Sequence, residues 1–262
     1  MEQVTPHRVH IAQATDWKDA VVTLLEPRSP YRPWRYGAVE AQEGDSVAFV
    51  LNTDPPSVLT ELARVRADGP PEAATFDHQL FQPNLLKLSI LAEVLDVEPD
   101  LADSWRFDGH DAVKLDLTLT ERCLGGAPDS RFGHNSMAAA RQLLRFCGRC
   151  DGCEQGIDLS SPDARDRVFV HTVDLEPEQV RSDAVDWPAV LCRECTDRVG
   201  DATFLDYKFG LYPPCPECDA RRTRATFYGM PIDFANIPPW IHAGGCCVSA
   251  EEWHCDVCYH QW

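Results

Sequence analysis

The pattern of apolar and polar positions predicts a strand-rich first part and a final part with little regular patterning. Arg8–Ala14 alternates (R-V-H-I-A-Q-A), as a half-buried strand does. Ala20–Leu25 is a short apolar run, Ser46–Leu51 (S-V-A-F-V-L) follows an E-G-D turn, and Ser57–Val65 is apolar at several positions. Residues 8–66 therefore read as β-rich. Pro27–Gly37 interrupts them with a Pro-rich loop that carries three Arg and three aromatic residues. Residues 67–80 read as a loop or linker, Leu85–Leu95 has helical apolar spacing, and Asp96–Asp103 reads as an exposed acidic stretch. Ala112–Leu119 (A-V-K-L-D-L-T-L) alternates like a strand. Met137–Phe146 reads as a helix capped by Ser136, and it delivers the chain directly into Cys147. The last 50 residues, 213–262, carry little helical signal.

Composition narrows the class. With 44% apolar and 25% charged residues over 262 positions, the chain has the makeup of a folded protein. No run approaches the ~20 apolar residues a membrane span needs. The first residues (MEQVTPHRVH) lack a basic segment followed by an apolar one, so a cytoplasmic location and no membrane partner are expected. The 42 acidic against 24 basic residues give a formal charge of -18, which opposes nonspecific coating of duplex DNA, since that affinity comes from neutralising phosphates. A nucleic-acid contact would have to be local. Twenty of the 24 cations are Arg, the side chain suited to bidentate phosphate and base contacts.

Cysteine placement changes the picture most. All 12 cysteines lie from Cys123 onward, and eleven fall within the last 116 residues. C-G-R-C-D-G-C (147–153), C-R-E-C (192–195), C-P-E-C (215–218) and C-D-V-C (255–258) have the spacing at which two thiolates reach one Zn²⁺ from a tight turn. Pairing in chain order predicts two structural zinc sites. One is Cys150, Cys153, Cys192 and Cys195; the other is Cys215, Cys218, Cys255 and Cys258. Spacing leaves Cys147 as an alternative to Cys153, lets Cys246 or Cys247 displace a ligand of the second site, and allows His254 or His260 into a Cys₃His variant. A 50-residue segment rarely supports a core alone, so metal is expected to supply much of its folding energy.

Residues 147–200 resemble the zinc-stapled HNH endonuclease domain, a treble-clef or ββα-metal unit, through C-D-G-C (150–153), F-V-H-T-V-D (169–174) and V-D-W-P-A-V-L-C-R-E-C-T (185–196). His171 falls at a metal-ligand position of that family, and Thr172 occupies the general-base position, where it cannot take a proton from water near neutral pH. The Asn position falls around Trp187, and Thr196 replaces the His after the last knuckle. The resemblance therefore implies a degenerate or atypical catalytic centre, with His171, Asp174 and Asp201 as candidate catalytic-metal ligands for Mg²⁺ or Mn²⁺. Residues 215–262 resemble a zinc ribbon, whose basic cluster is Arg221, Arg222 and Arg224. The N-terminal segment resembles a PUA-like barrel of the EVE or YTH type through its first strand, its Trp/Arg-rich loop and E-G-D-S-V-A-F-V-L-N (43–52). That family seats a flipped base in an aromatic cage, which implies Tyr31, Trp34 and Tyr36 as walls and Arg28, Arg32 and Arg35 on the adjacent backbone.

The expected architecture is α+β. It comprises a β-rich barrel-like module (1–104), a connector with a helix (105–146), an HNH-like zinc unit (147–212) and a zinc ribbon (213–262). The expected function is local interaction with nucleic acid, DNA before RNA, in a protein resembling modified-DNA-reading HNH restriction factors. A zinc scaffold that binds a protein partner through acidic surfaces is the alternative.

Overall fold

The computed structural model describes residues 8–26, 28–36, 42–66, 75–77, 84–95, 106–124, 132–174, 184–229 and 237–262. In chain order the elements are β1 (Arg8–Ala14), α1 (Trp17–Leu25), β2 (Trp34–Tyr36), β3 (Ser46–Leu51), β4 (Ser57–Leu59), β5 (Ala63–Arg66), β6 (Thr75–Asp77), β7 (Leu85–Lys87), α2 (Leu88–Leu95), β8 (Arg106–Asp108) and α3 (Gly109–Leu124). There follow α4 (Ser136–Leu144), α5 (Ala164–Arg167), β9 (Val168–His171), β10 (Ala189–Cys192), α6 (Arg193–Val199), α7 (Phe204–Gly210), β11 (Thr223–Phe227), β12 (Ile241–Ala243) and β13 (Trp253–Cys255). The class is α+β, as the sequence implies. None of the described helices is long and apolar enough to cross a membrane. The acidic stretch Asp96–Asp103 and most of the 67–80 linker lie outside the described residues.

The larger sheet is built on the parallel pair β1–β3, with Ile11 opposite Ala48. β2 and β8 share the other edge of β1, while β4 and β5 share the other edge of β3. Among the described residues the path from β2 to β7 is open and forked rather than closed on itself. Period-2 alternation sends its side chains into two cores. Ala12, Ala14, Val47, Phe49 and Leu51 face α1, α4 and the cysteine-rich half. Val9, Ile11, Ala48, Val50 and Val58 face Leu91 and Leu95 of α2 and Ala112, Leu115 and Leu119 of α3. Burial on both faces explains why β3 reads as a continuous apolar run.

Four local expectations are corrected. Ala20–Leu25 lies in α1, started by Asp16, whose Oδ1 accepts from the N–H groups of Lys18 and Asp19 at 3.0 and 3.1 Å. Capping and core packing outweigh the β-branched pair Val21–Val22. Ala112–Leu119 lies in α3. Its alternation misleads because Val113 and Leu117 are 42% and 57% exposed, while Ala112, Leu115 and Leu119 form the buried helical stripe. Leu85–Leu95 begins as β7, paired with β4, before turning into α2. Finally, α4 is capped by Asn135, which accepts from the Ala138 N–H, whereas the Ser136 hydroxyl accepts from the Asp54 N–H and ties the helix to the β3–β4 loop.

The cysteine-rich half is seated on this sheet through α1, α4 and α5. The Arg165 guanidinium reaches Asp16 and Asp19 at 2.8 and 3.3 Å. One continuous core runs from Phe49 through Met137 and Leu143 to Val190, Phe204 and Trp240.

Candidate metal centres

Three of the four cysteine pairs share one backbone design. The N–H of Glu154 donates to the Cys150 carbonyl at 2.8 Å, that of Asp219 to Cys215 at 2.9 Å, and that of Tyr259 to Cys255 at 3.0 Å. In return, the N–H groups of Cys150, Cys215 and Cys255 each donate to the carbonyl five residues on, every time at 2.9 Å. Closing so tight a turn places the residue after the second cysteine in the left-handed region. Glu154, Asp219 and Tyr259, with φ of 62, 57 and 61°, are the non-glycine residues found there among those described.

The fourth pair is held differently. Cys192 ends β10 and stands at the N-cap of α6, and Cys195 sits buried in the first turn of that helix. β9 and β10 pair antiparallel, with Cys192 opposite Val168, so a hairpin separates the first knuckle from the helix. Asp151 fastens the knuckle to β10 by exchanging bonds with Val190, its N–H donating at 2.9 Å and its Oδ2 accepting at 2.6 Å. Cys150, Cys153, Cys192 and Cys195 then converge, as do Cys215, Cys218, Cys255 and Cys258 in the ribbon, with the sulfurs of each set within 4.8 Å of one another.

These distances fit zinc. Four Zn–S arms of ~2.3 Å at the tetrahedral angle put neighbouring sulfurs about 3.8 Å apart. Cys153 and Cys192 are 3.9 Å apart, and Cys215–Cys258 and Cys218–Cys255 are each 3.6 Å apart. A disulfide would require about 2.05 Å. Donors to the sulfurs are in place: the Cys192 N–H reaches Cys150 Sγ at 3.2 Å, the Tyr207 hydroxyl reaches Cys195 Sγ at 3.2 Å, and the Val257 N–H reaches Cys255 Sγ at 3.4 Å. Burial pushes the Cys150 thiol up to about 12 against the pull of N–H donors from Cys192, Cys153 and Gly152. Burial acts the same way on Cys255, but the N–H groups of Cys258 and Val257 bring it down to about 7. A bound dication would favour the thiolate at every position, because a coordinating thiol is deprotonated outright.

The structure resolves the ligand alternatives left open by spacing. Cys147, Cys246 and Cys247 are exposed and stand outside both tetrads. His254 stacks on His242 with centroids 3.8 Å apart, and His260 stacks on Trp262. Sequence reasoning missed the supporting residues. Lys208, 1% exposed, donates to the Gly152 carbonyl and to Glu154, both at 3.1 Å, and lies over the rings of Tyr212 and Trp240. It thereby braces the first knuckle against the ribbon; a lone Lys within the apolar stretch F-L-D-Y-K-F was the available signal.

Of the candidate catalytic ligands, His171 is at the end of β9, with Nε2 2.8 Å from Asp186 Oδ2. Asp186 Oδ1 accepts from the N–H groups of Trp187 and Phe204, both at 2.8 Å. Burial acts to raise its carboxyl, but these bonds hold it below the usual carboxylate range. Asp174 and Asp201 are exposed, and among the described residues the two cysteine tetrads are the groups of three or more ligands close enough to hold a metal. His171 borders a groove of about 320 Å³ lined by Trp17 and Lys18 of α1, Phe169 of β9, and Thr196 and Val199 of α6. The Lys18 ammonium and the Arg193 guanidinium lie over the Phe169 ring at 5.4 and 5.1 Å. Burial, and next the Arg165 charge, lower the Lys18 ammonium.

The candidate base-cage residues are dispersed. Trp34 packs on Phe49 with centroids 4.6 Å apart, and Tyr31 hydrogen-bonds Pro162 and Arg165 at the seam with the cysteine-rich half. Arg28 pairs with Glu26, Arg32 donates to the carbonyls of Ser29 and Tyr31, and Arg35 is exposed on β2. Tyr36 pairs with Ala12 through its backbone, and its side chain lies outside the described part. In the ribbon, Arg224 is 2.7 Å from Asp256 and Arg222 donates to the Ala184 carbonyl over Phe209, while both Arg221 and Arg222 are exposed.

Fold and sites together define an α+β protein with two tetracysteine centres, each able to hold a zinc ion. No protein-family model, curated protein or solved structure matches this chain.

Proposed function

We propose that the chain is a two-zinc protein that grips nucleic acid, DNA before RNA, at the groove between α1, β9 and α6. The order knuckle, hairpin, helix around the first tetrad supports the treble-clef reading, and two knuckles on a three-stranded sheet support the ribbon. The observation that carries the binding reading is the placement of Lys18 and Arg193 over one Phe169 ring beside His171. Two cations can take successive phosphates while the edge of the ring between them meets a base. This is a local contact, compatible with a chain of charge -18. α6 contributes Thr196 and Val199 to the groove, neither of them a good ligand for Mg²⁺ or Mn²⁺, so binding without HNH-type cleavage is the expected behaviour.

The test is a panel of single-stranded, duplex, modified and unmodified DNA and RNA at low salt. Lys18→Gln and Arg193→Gln should each reduce the slope of log affinity against log salt by about 0.7–0.9. Absence of binding across the panel refutes the reading. With Mg²⁺ or Mn²⁺ added, nicking that disappears in His171→Ala would instead make the groove catalytic.

A second reading, a zinc scaffold that docks a protein partner, is favoured by one observation. Val257 and Tyr259, on the last knuckle, are 62% and 76% exposed although both are large and apolar. Loss of partner capture in a Val257→Ser, Tyr259→Ser variant that keeps both zinc ions, with an empty nucleic-acid panel, would select it.

A further inference from the structure

Four of the twelve cysteines lie outside the tetrads, and two of these are adjacent. Cys246 and Cys247 follow Gly244 and Gly245 where the chain leaves β12, and both are exposed and free. Their surroundings are fixed on one side by the sheet. The Gly244 N–H donates to the Phe227 carbonyl and the Gly229 N–H to the Gly245 carbonyl, both at 2.9 Å. Beyond the pair, the Tyr228 hydroxyl meets Ser249 and donates to the Glu251 carbonyl at 2.8 Å. In an extended strand, neighbouring side chains point to opposite faces. Here Cys246 and Cys247 occupy a bend, and both residues are exposed.

We propose that Cys246 and Cys247 form a dithiol site for a soft, three-coordinate ion of the trivalent arsenic or antimony class, separate from the zinc centres. Cα atoms joined by a trans peptide are about 3.8 Å apart, and because both side chains are exposed and free, rotation about χ1 can bring the two sulfurs to a common centre. Zinc prefers four protein ligands in a structural site, so two thiols alone hold it poorly. A trivalent arsenic needs only these two sulfurs and keeps its third substituent. The reaction is a condensation without redox change. An arsenic(III) hydroxide loses two hydroxyl groups, the two thiols lose their protons, two As–S bonds form and two waters leave. Soft-ion preference for sulfur supplies the driving force. Each tetrad has two buried cysteines, Cys150 and Cys195 in one and Cys215 and Cys255 in the other; Cys218 and Cys258 are exposed, so bound zinc rather than burial is what would keep the ribbon sulfurs from the same reagent.

The experiment uses the zinc-loaded full chain and phenylarsine oxide, which captures paired thiols with loss of one water. Native mass spectrometry should show one phenylarsenic group added with both zinc ions retained. Cys246→Ser and Cys247→Ser should each abolish the adduct, a small dithiol should reverse it, and Cys147→Ser should leave it unchanged. An adduct that persists in either single variant at positions 246 or 247, or one that forms only as zinc is expelled, would overturn the assignment, as would no adduct on the wild type. Zinc content of the variants, read in the same spectra, reports that they are folded. Nucleic-acid binding plays no part in this result.

Discussion

Gly152→Ala is the sharpest perturbation the first centre offers. A Cβ on Gly152 would lie 2.8 Å from Cys195 Sγ, 3.1 Å from Cys195 Cβ and 3.1 Å from Tyr207 Cε1. Ordinary contacts between such atoms sit at about 3.5–4.0 Å, so the sulfur would have to retreat by roughly 0.7–1.2 Å. A working metal site tolerates about ±0.2 Å. Gly152 does not occupy the left-handed region, so the substitution adds this clash and no backbone strain. Tyr207 is also the hydroxyl donor to Cys195, so movement of either neighbour costs a sulfur contact. The substitution should therefore lower zinc affinity of this centre at least ~100-fold, about 2.7 kcal/mol, against a gain of only ~0.4–1 kcal/mol from the stiffer unfolded chain. Metal analysis with competition by a chromophoric chelator should find one tightly held zinc per chain in place of two. Gly156→Ala is the control, since its added Cβ meets nothing closer than 3.8 Å. Two zinc ions held with wild-type strength in Gly152→Ala would refute the reasoning.

Asp186→Asn removes the carboxylate that serves His171, Trp187 and Phe204, and should cost about 1–3 kcal/mol in denaturant unfolding. Because the folded Asp186 titrates below its ordinary value, its contribution is present above the unfolded pKa of ~3.9 and disappears as pH falls through the folded one. The wild-type advantage over Asp186→Asn should accordingly shrink in melts taken below about pH 4; a constant difference would count against the assignment. Lys208→Met keeps the packing but deletes the donor to Gly152 and Glu154; a loss of about 1–3 kcal/mol is expected, and an unchanged melt would show the brace to be idle. At Tyr259, φ of 61° suits Gly and penalises a β-branched side chain. Chelator competition should rank Tyr259→Gly above Tyr259→Val by about 1–2 kcal/mol, and the reverse order would refute the knuckle geometry.

Spacing made the tetrads legible because a knuckle is local: two intervening residues bring both sulfurs to one side of a turn. The apolar pattern also located the α4 helix. Spacing did not reveal that Tyr259 and Glu154 adopt a conformation side chains of their type rarely use, since closure of the turn imposes that state. Nor could it show that Trp34 and Tyr31 serve packing and the seam between halves, because a Trp/Arg-rich loop looks the same whether its aromatics cage a base or fill a core.

Sequence alone determined the α+β class, the two cysteine sets in outline, and the chain's net charge of -18. Tertiary structure decided what depends on distant segments meeting. It selected Cys150–Cys153 over Cys147–Cys150, since Asp151 finds Val190 only when the hairpin has formed. It turned the alternating Ala112–Leu119 into a helix, since only one stripe of α3 has a sheet face to cover. It also placed Lys18 of α1 and Arg193 of α6 over the same Phe169, at a groove that requires the α1 side of the first module and the zinc unit to be docked together. Local patterns record the turns and the ligands of each segment, whereas burial and juxtaposition arise only when those segments compete for one core.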